Sequence, residues 1–370
     1  MKVIIAAAGT GGHINPGIAI ANKIMKEEKN SEVLFVGTSR GIEKDLVPRA
    51  GYKLETIEAY GFSKKISKDN IKKMIKTVKS VKVAENIIKK FKPDIVIGTG
   101  GYICGPVLTA ANKLKIPTML HESNSFPGLA VKMLSKKVNT IMLGFKEAKE
   151  FLPKAKNIVV TGTPTKINKM NLDIDDIKKI KREMNLDINL PLVLVFGGSQ
   201  GAKKINDVMI DIISKNMNKT YQIIWAVGQK NFEDVKKIFK ENKLDINNLK
   251  NAKVLPYIYD MEKVMNISDV IVCRSGAITI TEICKIGKPA IFIPLPNVSQ
   301  NHQEKNARVL QKIGAAYIIL NNEITKDKLS DTINTIILDK KKIKEMGEKA
   351  NSISINNVED RIYEEIKKLI

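Results

Sequence analysis

The chain of 370 residues carries 62 Lys and Arg against 39 Asp and Glu, which gives a formal net charge of +23 at pH 7. Its length favours two domains, and its hydrophobic fraction of 43% excludes wholesale disorder and a polytopic membrane protein. Such a positive charge indicates a negative partner, and composition leaves nucleic acid, an anionic membrane and phosphorylated small molecules all open.

The first residues are typical of a buried strand rather than a signal peptide. The apolar run Val3 to Ala8 stops at Gly9, where a glycine-rich turn begins. No apolar run approaches the roughly 20 residues of a membrane-spanning helix, so we expect any membrane contact to be peripheral. The three cysteines, Cys104, Cys273 and Cys284, form no CxxC motif, which favours a reducing cytoplasm and argues against disulfides and zinc.

Short Val/Ile-rich runs alternate with longer segments of helical spacing, which predicts βα units and parallel sheets. The predicted strands of the first half are 3–8, 33–37, 94–98, 118–120, 140–143 and 158–161, with helical segments that include 17–28 and 70–91. After a Lys-rich stretch at 166–185, predicted to be helical, a second series has strands at 191–196, 222–227, 269–272 and 289–293.

This organisation predicts an α/β protein with two doubly wound, Rossmann-like parallel-sheet domains that face each other across a cleft. We place the first domain at 1–164 and the second at 165–353. The last segment, about 354–370, is amphipathic and helical, and we expect it to pack back on the first domain.

A basic amphipathic helix is predicted between Phe62 and Lys92, where eleven lysines stand against two carboxylates. Such a helix can lie on an anionic membrane, but a general lysine bias with an apolar stripe packed into the core explains it equally well. Aromatic residues make up 5% of the chain and form no base-stacking cluster, so we expect no nucleic-acid binding.

Three strand-to-helix turns could hold an anion through backbone amides, at 9–12, 197–201 and 273–282. The third carries Glu282, whose carboxylate suits the two hydroxyls of a ribose, although a solvated helix glutamate is the simpler interpretation. Neither of the first two turns reads GxGxxG, and no Walker motif occurs. Arg40, after the second strand, keeps an NADP enzyme as an alternative.

Together these motifs resemble the GT-B glycosyltransferases, and within them the peptidoglycan branch that transfers N-acetylglucosamine (GlcNAc) from UDP-GlcNAc to undecaprenyl-pyrophosphoryl-MurNAc-pentapeptide (lipid I). The resemblance rests on the segments GTGGHINP at 9–16, GGYICGP at 100–106, HESN at 121–124, GGSQG at 197–201 and RSGAITITE at 274–282. It implies two Rossmann-like domains, a UDP-GlcNAc donor, a lipid-linked acceptor and a peripheral position on the cytoplasmic side of the cell membrane. Transfer to diacylglycerol is the alternative.

The resemblance also implies roles for individual residues. It assigns UDP-GlcNAc binding to Lys166 and, on the sugar and acceptor side of the cleft, to Thr10, Gly11, Gly12 and Asn124. It places Tyr102 and His121 towards the acceptor. It assigns the donor diphosphate to Ser199, uracil to Ile258, the diphosphate and GlcNAc pocket to Ala277, Ile278, Thr279, Ile280 and Thr281, ribose to Glu282 and the sugar to Gln303. Two positions depart from the family pattern: Lys166 replaces an arginine that could bind bidentately, and His302 replaces a glutamine.

His13 is the predicted catalytic base, because it lies in the first turn and the usual histidine pKa near 6.5 suits proton removal at neutral pH. A structural turn residue, or one that only binds substrate phosphate, remains the alternative. Asp234 and Asp260 are isolated and no DxD motif ends a strand, so we expect no catalytic metal and no cofactor, with Mg²⁺ assistance to the diphosphate as the alternative. The glycine turns at helix N-termini would then stabilise the departing UDP.

Overall fold

A computed structural model describes residues 1–61, 68–198 and 200–370, without the side chains of residues 68–71, 73 and 74. The chain divides into two compact units. The first comprises Met1–Thr165 together with Ile355–Ile370, and the second comprises Lys166–Ser354.

Among its described residues, the first unit contains a parallel sheet of seven strands in the order β3-β2-β1-β4-β5-β6-β7. The strands are β1 (Lys2–Ala6), β2 (Glu32–Gly37), β3 (Lys53–Thr56), β4 (Ile95–Gly98), β5 (Thr118–Glu122), β6 (Thr140–Leu143) and β7 (Ile158–Val160). The helices are α1 (Gly11–Glu27), α2 (Glu43–Arg49), α3 (Lys68–Phe91), α4 (Cys104–Lys113) and α5 (Leu129–Leu134). Apolar side chains on both faces of the sheet are buried, as a parallel sheet covered on both faces requires.

The strand order of the first unit reverses at β1, which pairs with β2 on one side and with β4 on the other. Ligands of open α/β sheets bind at such a switch point, beyond the carboxyl ends of the strands. Gly9 follows β1 and Gly100 follows β4, so the fold brings two glycine turns to this position.

The described part of the second unit repeats the plan with six parallel strands in the order β10-β9-β8-β11-β12-β13. The strands are β8 (Leu192–Phe196), β9 (Gln222–Ala226), β10 (Ala252–Leu255), β11 (Val270–Cys273), β12 (Ala290–Phe292) and β13 (Ala316–Ile318). The helices are α6 (Ile174–Glu183), α7 (Lys203–Ser214), α8 (Phe232–Glu241), α9 (Met261–Ile267), α10 (Ala277–Ile286), α11 (His302–Lys312), α12 (Lys326–Ile337) and α13 (Lys340–Ser352). The switch point lies between β8 and β11, and Gly197 and Arg274 directly follow these two strands.

The two units share one type of hydrogen bond at the end of each sheet opposite the glycine turns. The carboxylate of Asp94 accepts a hydrogen bond from the backbone N–H of Lys2 at 2.7 Å, and that of Asp269 accepts one from Leu192 at 2.7 Å. Each aspartate thus fixes the start of the first strand of its unit.

The C-terminal helix α14 (Val358–Lys367) belongs to the first unit, where Ile362 and Ile366 are buried against α1. Glu28 joins this helix to the N-terminus, since its carboxylate accepts hydrogen bonds from Tyr363 and Lys367 at 2.9 and 3.0 Å and from the Met1 ammonium at 3.1 Å. The bond from Lys367 is the main cause that lowers the pKa of Glu28 to about 2.

The observed elements differ from the predicted ones in three places. Residues 166–173 are not helical, because the capping box of Asp173 and Asp176 starts α6 at Ile174. Helix α1 begins at Gly11, inside the glycine turn and before the predicted start at residue 17. The edge strands β3, β10 and β13 were not predicted, since they are short and two of them carry charged residues. None of the helices described is long and apolar enough to cross a membrane.

Candidate active site

The first glycine turn opens helix α1 without a side-chain cap. Gly9 has a φ of +98°, and Thr10 is the extended N-cap residue, but its side chain makes no capping hydrogen bond. The first turn of the helix also contains no acidic residue. Because the first amides of a helix have no acceptor within it, the N–H groups of Gly11 and Gly12 can bind an anion.

The buried carboxylate of Glu43 holds this turn in place through hydrogen bonds. Its Oε2 accepts from the backbone N–H of Gly9 at 3.1 Å, and its Oε1 accepts from the N–H and the hydroxyl of Thr38 at 3.0 and 2.6 Å. Glu43 is fully buried. Burial opposes its ionisation, but these hydrogen bonds outweigh burial and lower the pKa of Glu43. The sequence analysis missed Glu43, since only the fold brings it to Gly9.

His13 is held in one orientation by its neighbours. Its Nδ1 lies 3.0 Å from the carbonyl oxygen of Ala8, so this nitrogen donates to the carbonyl, and in the neutral ring Nε2 is the nitrogen that has the lone pair. A Cβ atom at Gly100 would come within 2.4 Å of His13 Cδ2, and Gly100 has a φ of +116°. The glycine is therefore needed for the imidazole to pack here.

Two of the residues predicted on the acceptor side have different surroundings. Tyr102 is partly exposed, and its ring lies 3.8 Å from the position of a Cβ on Gly9, so it borders the first turn. His121 is fully buried, and its Nε2 lies 2.9 Å from the carbonyl oxygen of Gly162. Burial lowers the pKa of His121 to about 4, so the ring is neutral at pH 7 and donates to Gly162.

Asn124 is positioned by Glu122. The Oε1 atom of Glu122 accepts from both the backbone N–H and the side-chain amide of Asn124 at 2.9 Å, and Oε2 accepts from the N–H of Gly128 at 2.7 Å. Glu122 is 5% exposed, whereas Asn124 is partly exposed at the end of β5. The sequence analysis named Asn124 and missed the carboxylate that orients it.

The second glycine turn, after β8, rests on the loop that follows β9. A Cβ at Gly201 would come within 2.2 Å of the carbonyl oxygen of Val227, and Asn231 donates to the carbonyl of Gln200 at 2.9 Å. Gly198 has a φ of +92° and open space around its Cα. Ser199, predicted to face the donor diphosphate, lies outside the described residues.

The third turn leads into α10, whose N-cap Gly276 provides no side-chain cap. Ile278 and Thr279 are partly exposed in the first turn of the helix. Ile280 is fully buried, and the hydroxyl of Thr281 donates back to the carbonyl of Ala277 at 3.0 Å. The side chain of Ile280 therefore packs in the core, and its assignment to the diphosphate and GlcNAc pocket stays a prediction.

One cavity of about 760 Å³ joins the second and third turns. It is lined by the predicted residues Thr279 and Gln303 and by Gly198, Gly276 and Arg274. The Oε1 of Gln303 accepts from the N–H of Leu295 at 2.9 Å, which directs the side-chain NH₂ to other acceptors.

Seven of the residues predicted for the donor do not line this cavity: Lys166, Ile258, Ala277, Ile278, Ile280, Thr281 and Glu282. Ile258 is 4% exposed, and Lys166 is exposed. Glu282 is largely enclosed, and burial raises its pKa to about 7. At neutral pH its carboxyl group is therefore divided between the protonated and ionised forms. No three metal-binding side chains cluster anywhere in the described ranges.

Comparisons with known proteins relate both units to glycosyltransferases. Residues 3–143 match the glycosyltransferase family 28 N-terminal domain, and residues 192–362 match the family 28 C-terminal domain. The crystal structure of MurG from Acinetobacter baumannii superposes with a TM-score of 0.79 at 27% identity and covers 99% of both chains.

Curated relatives extend the likeness over the whole chain. The UDP-N-acetylglucosamine–N-acetylmuramyl-(pentapeptide) pyrophosphoryl-undecaprenol N-acetylglucosamine transferase of Acetivibrio thermocellus is 41% identical over 100% of this chain and 98% of its own length. The transferase of the same name from Thermoanaerobacter sp. (strain X514) is 42% identical over 100% of both chains.

Proposed function

Because the chain belongs to glycosyltransferase family 28, we propose that it transfers GlcNAc from UDP-GlcNAc to the C4 hydroxyl of MurNAc in lipid I, which gives lipid II for peptidoglycan. The observation that carries this proposal is the 41% identity over 100% of the chain to a transferase of that donor and acceptor. Transfer to diacylglycerol is not favoured, because the curated relatives named above are transferases of a MurNAc-linked lipid.

The proposed reaction inverts the anomeric centre of the sugar. The C4 oxygen of MurNAc attacks C1 of GlcNAc, the bond from C1 to the diphosphate breaks, and its electron pair leaves with UDP. The proton of the C4 hydroxyl passes to Nε2 of His13. Two features support this role for His13: its Nδ1–H donates to Ala8, and the glycine at 100 leaves room for the ring.

We place UDP-GlcNAc on the second unit. The amides at the start of α10 and the turn at Gly198 would face the diphosphate, where they stabilise the negative charge of the departing UDP. Glu282 would accept hydrogen bonds from the ribose hydroxyls, Ile258 would lie near uracil, and the NH₂ of Gln303 would donate to the sugar. Lys166, at the start of this unit, would add a positive charge.

We place the acceptor on the first unit. The amides of Gly11 and Gly12 can bind the pyrophosphate of lipid I, with Tyr102 at the side of this turn. Asn124, fixed by Glu122, offers an amide to a sugar hydroxyl. His121 would act indirectly, by holding the carbonyl of Gly162 at the end of the unit.

Helix α3 supports a peripheral position on the cytoplasmic face of the membrane. Ala84 and Ile88 pack in the core, but Ile75, Val78 and Val83 are 50%, 69% and 47% exposed among exposed lysines. Apolar side chains can enter the lipid boundary while each lysine near an anionic surface contributes about 1 kcal/mol. Sedimentation with anionic and neutral vesicles over a salt series tests this membrane contact, and Val78→Asp is the variant to compare. A nucleic-acid gel shift is expected to be negative.

The transfer itself is tested with labelled UDP-GlcNAc and a short-chain analogue of lipid I. We expect a labelled disaccharide product with wild type and its loss with His13→Ala, while UDP-GlcNAc binding to His13→Ala stays unchanged. Near-normal turnover of His13→Ala would contradict the role of the base. Product with diacylglycerol and none with lipid I would contradict the proposed acceptor.

A further inference from the structure

Arg40 lies at the carboxyl end of the sheet of the first unit and has no part in the proposed reaction. It follows β2, which pairs with β1, the strand that leads into the first glycine turn. Glu43 joins the two loops, because its carboxylate accepts hydrogen bonds from Thr38 in one and from Gly9 in the other. The loop that carries Arg40 is therefore fixed beside the first turn.

The guanidinium of Arg40 is held in one orientation although the side chain is exposed. Its Nη2 donates to the carbonyl oxygen of Ala59 at 2.7 Å. The guanidinium carbon lies 4.0 Å from the centroid of the Tyr60 ring, on which the group stacks. A guanidinium that is already oriented loses little freedom when it binds an anion.

The charge of Arg40 is not neutralised. No carboxylate in the described part of the chain forms an ion pair with it, and its two contacts, a carbonyl and a ring, are uncharged. Glu43 is already bonded to Thr38 and Gly9, and Glu58 is paired with Lys76 at 3.1 Å. The N–H groups of Arg40 that do not bind Ala59 can therefore bind an anion from outside the protein.

Tyr102 connects the first turn with the segment that carries Tyr60. Its ring lies 3.8 Å from the position of a Cβ on Gly9 and 3.8 Å from that of a Cβ on Gly61, the residue after Tyr60. A surface thus leads from the first turn past Tyr102 to Arg40. Neighbouring strands lie about 4.8 Å apart, and five extended residues span about 17 Å, so a pentapeptide that starts at the first turn can reach Arg40.

We propose that Arg40 binds a carboxylate of the stem peptide of the acceptor. This deepens the proposed function and rests on it. The amides of Gly11 and Gly12 are proposed to bind the pyrophosphate of lipid I, and Asn124 a sugar hydroxyl. The pentapeptide is then the negatively charged part of the acceptor that still lacks a partner, and an oriented guanidinium suits a carboxylate.

The test compares two short-chain analogues of lipid I, one with the free carboxylates of its pentapeptide and one in which they are amidated. For wild type we expect the KM of the amidated analogue to be about threefold to fivefold higher, as for an exposed ion pair, with an unchanged kcat. Arg40→Gln should raise the KM of the carboxylate analogue by the same factor and leave that of the amidated analogue unchanged. Tyr60→Leu removes the ring that orients the guanidinium and should act in the same direction by less.

Arg49 provides a matched control, since it is also exposed but lies at the far end of α2. Arg49→Gln removes the same charge and should leave both KM values unchanged. Equal increases in KM for the two analogues in Arg40→Gln, or no change with either, would overturn the inference. Unchanged KM values together with weaker sedimentation on anionic vesicles would assign Arg40 to a lipid headgroup instead. A wild type that transfers GlcNAc to neither analogue would contradict the proposed function itself.

Discussion

The proposed contact between Glu282 and the ribose predicts that donor binding depends on pH. Its carboxyl group is largely enclosed, and burial raises its pKa to about 7. Ribose hydroxyls donate hydrogen bonds and are held best by the ionised carboxylate, so binding lowers this pKa. The free protein must then lose a proton on binding below pH 7, and affinity for the nucleotide rises as the pH rises through 7.

The size of the effect follows from the fraction of Glu282 that is ionised in the free protein. With a pKa of about 7, about one molecule in ten is ionised at pH 6 and about nine in ten at pH 8. Affinity should therefore fall about tenfold between pH 8 and pH 6, which corresponds to about 1.4 kcal/mol. Glu282→Gln should bind more weakly at pH 8 and should lose this slope.

Calorimetry with UDP-GlcNAc at pH 6, 7 and 8 measures the effect directly. UDP-GlcNAc is the correct ligand, because it has no terminal phosphate whose second pKa near 6 would obscure the slope. Uridine and 2′-deoxyuridine serve as controls, and the deoxy form should show a weaker pH dependence. A wild-type affinity that is constant from pH 6 to pH 8, or the same dependence of affinity on pH in Glu282→Gln, would show that Glu282 does not control nucleotide binding.

Three further predictions concern the first unit. Glu43→Gln cannot accept all three hydrogen bonds from Thr38 and Gly9. We therefore expect a raised KM for the lipid I analogue and an unchanged KM for UDP-GlcNAc. Equal changes in the two KM values would contradict this role of Glu43. Gly100→Ala should lower kcat by at least about tenfold, because its Cβ would displace the His13 ring, whereas the matched change Gly105→Ala meets nothing within 4 Å and should be silent. Glu28→Gln should lower stability by about 1 kcal/mol at pH 7, as measured by urea unfolding. The lowered pKa of Glu28 means that this difference is full above its usual value of 4.5 and disappears as the pH falls towards about 2; a difference that persists at pH 2 would count against the ion cluster.

The elements predicted best from the sequence are those whose burial requires an uninterrupted run of apolar residues. Strands β1 and β8 are continuous apolar runs followed by glycine, and the same runs are buried on both faces. Edge strand β3 has the sequence Lys-Leu-Glu-Thr, and the alternation of polar and apolar residues alone does not distinguish it from a loop. Its pairing with β2, and not its own composition, makes it a strand.

The candidate site was predictable where local sequence sets the backbone. Glycine turns and the start of α10 are local features, and their positions could be read from the chain. Glu43 and Glu122 act through contacts that only the fold creates. Glu122 lies within the HESN segment, but nothing in that segment shows that its carboxylate holds Asn124. Thr279 and its neighbour Ile280 also differ in burial, because successive side chains of a helix point about 100° apart, which places Ile280 in the core and Thr279 at the cavity.

The proposed reaction is inverting transfer of GlcNAc to the C4 hydroxyl of MurNAc, and the linkage in the product distinguishes it from other transfers. Wild-type protein, UDP-GlcNAc and a short-chain lipid I analogue should give one disaccharide, whose NMR spectrum shows a β linkage to C4. An α linkage, attachment at another hydroxyl, or no transfer at all to the lipid I analogue would contradict the proposed reaction.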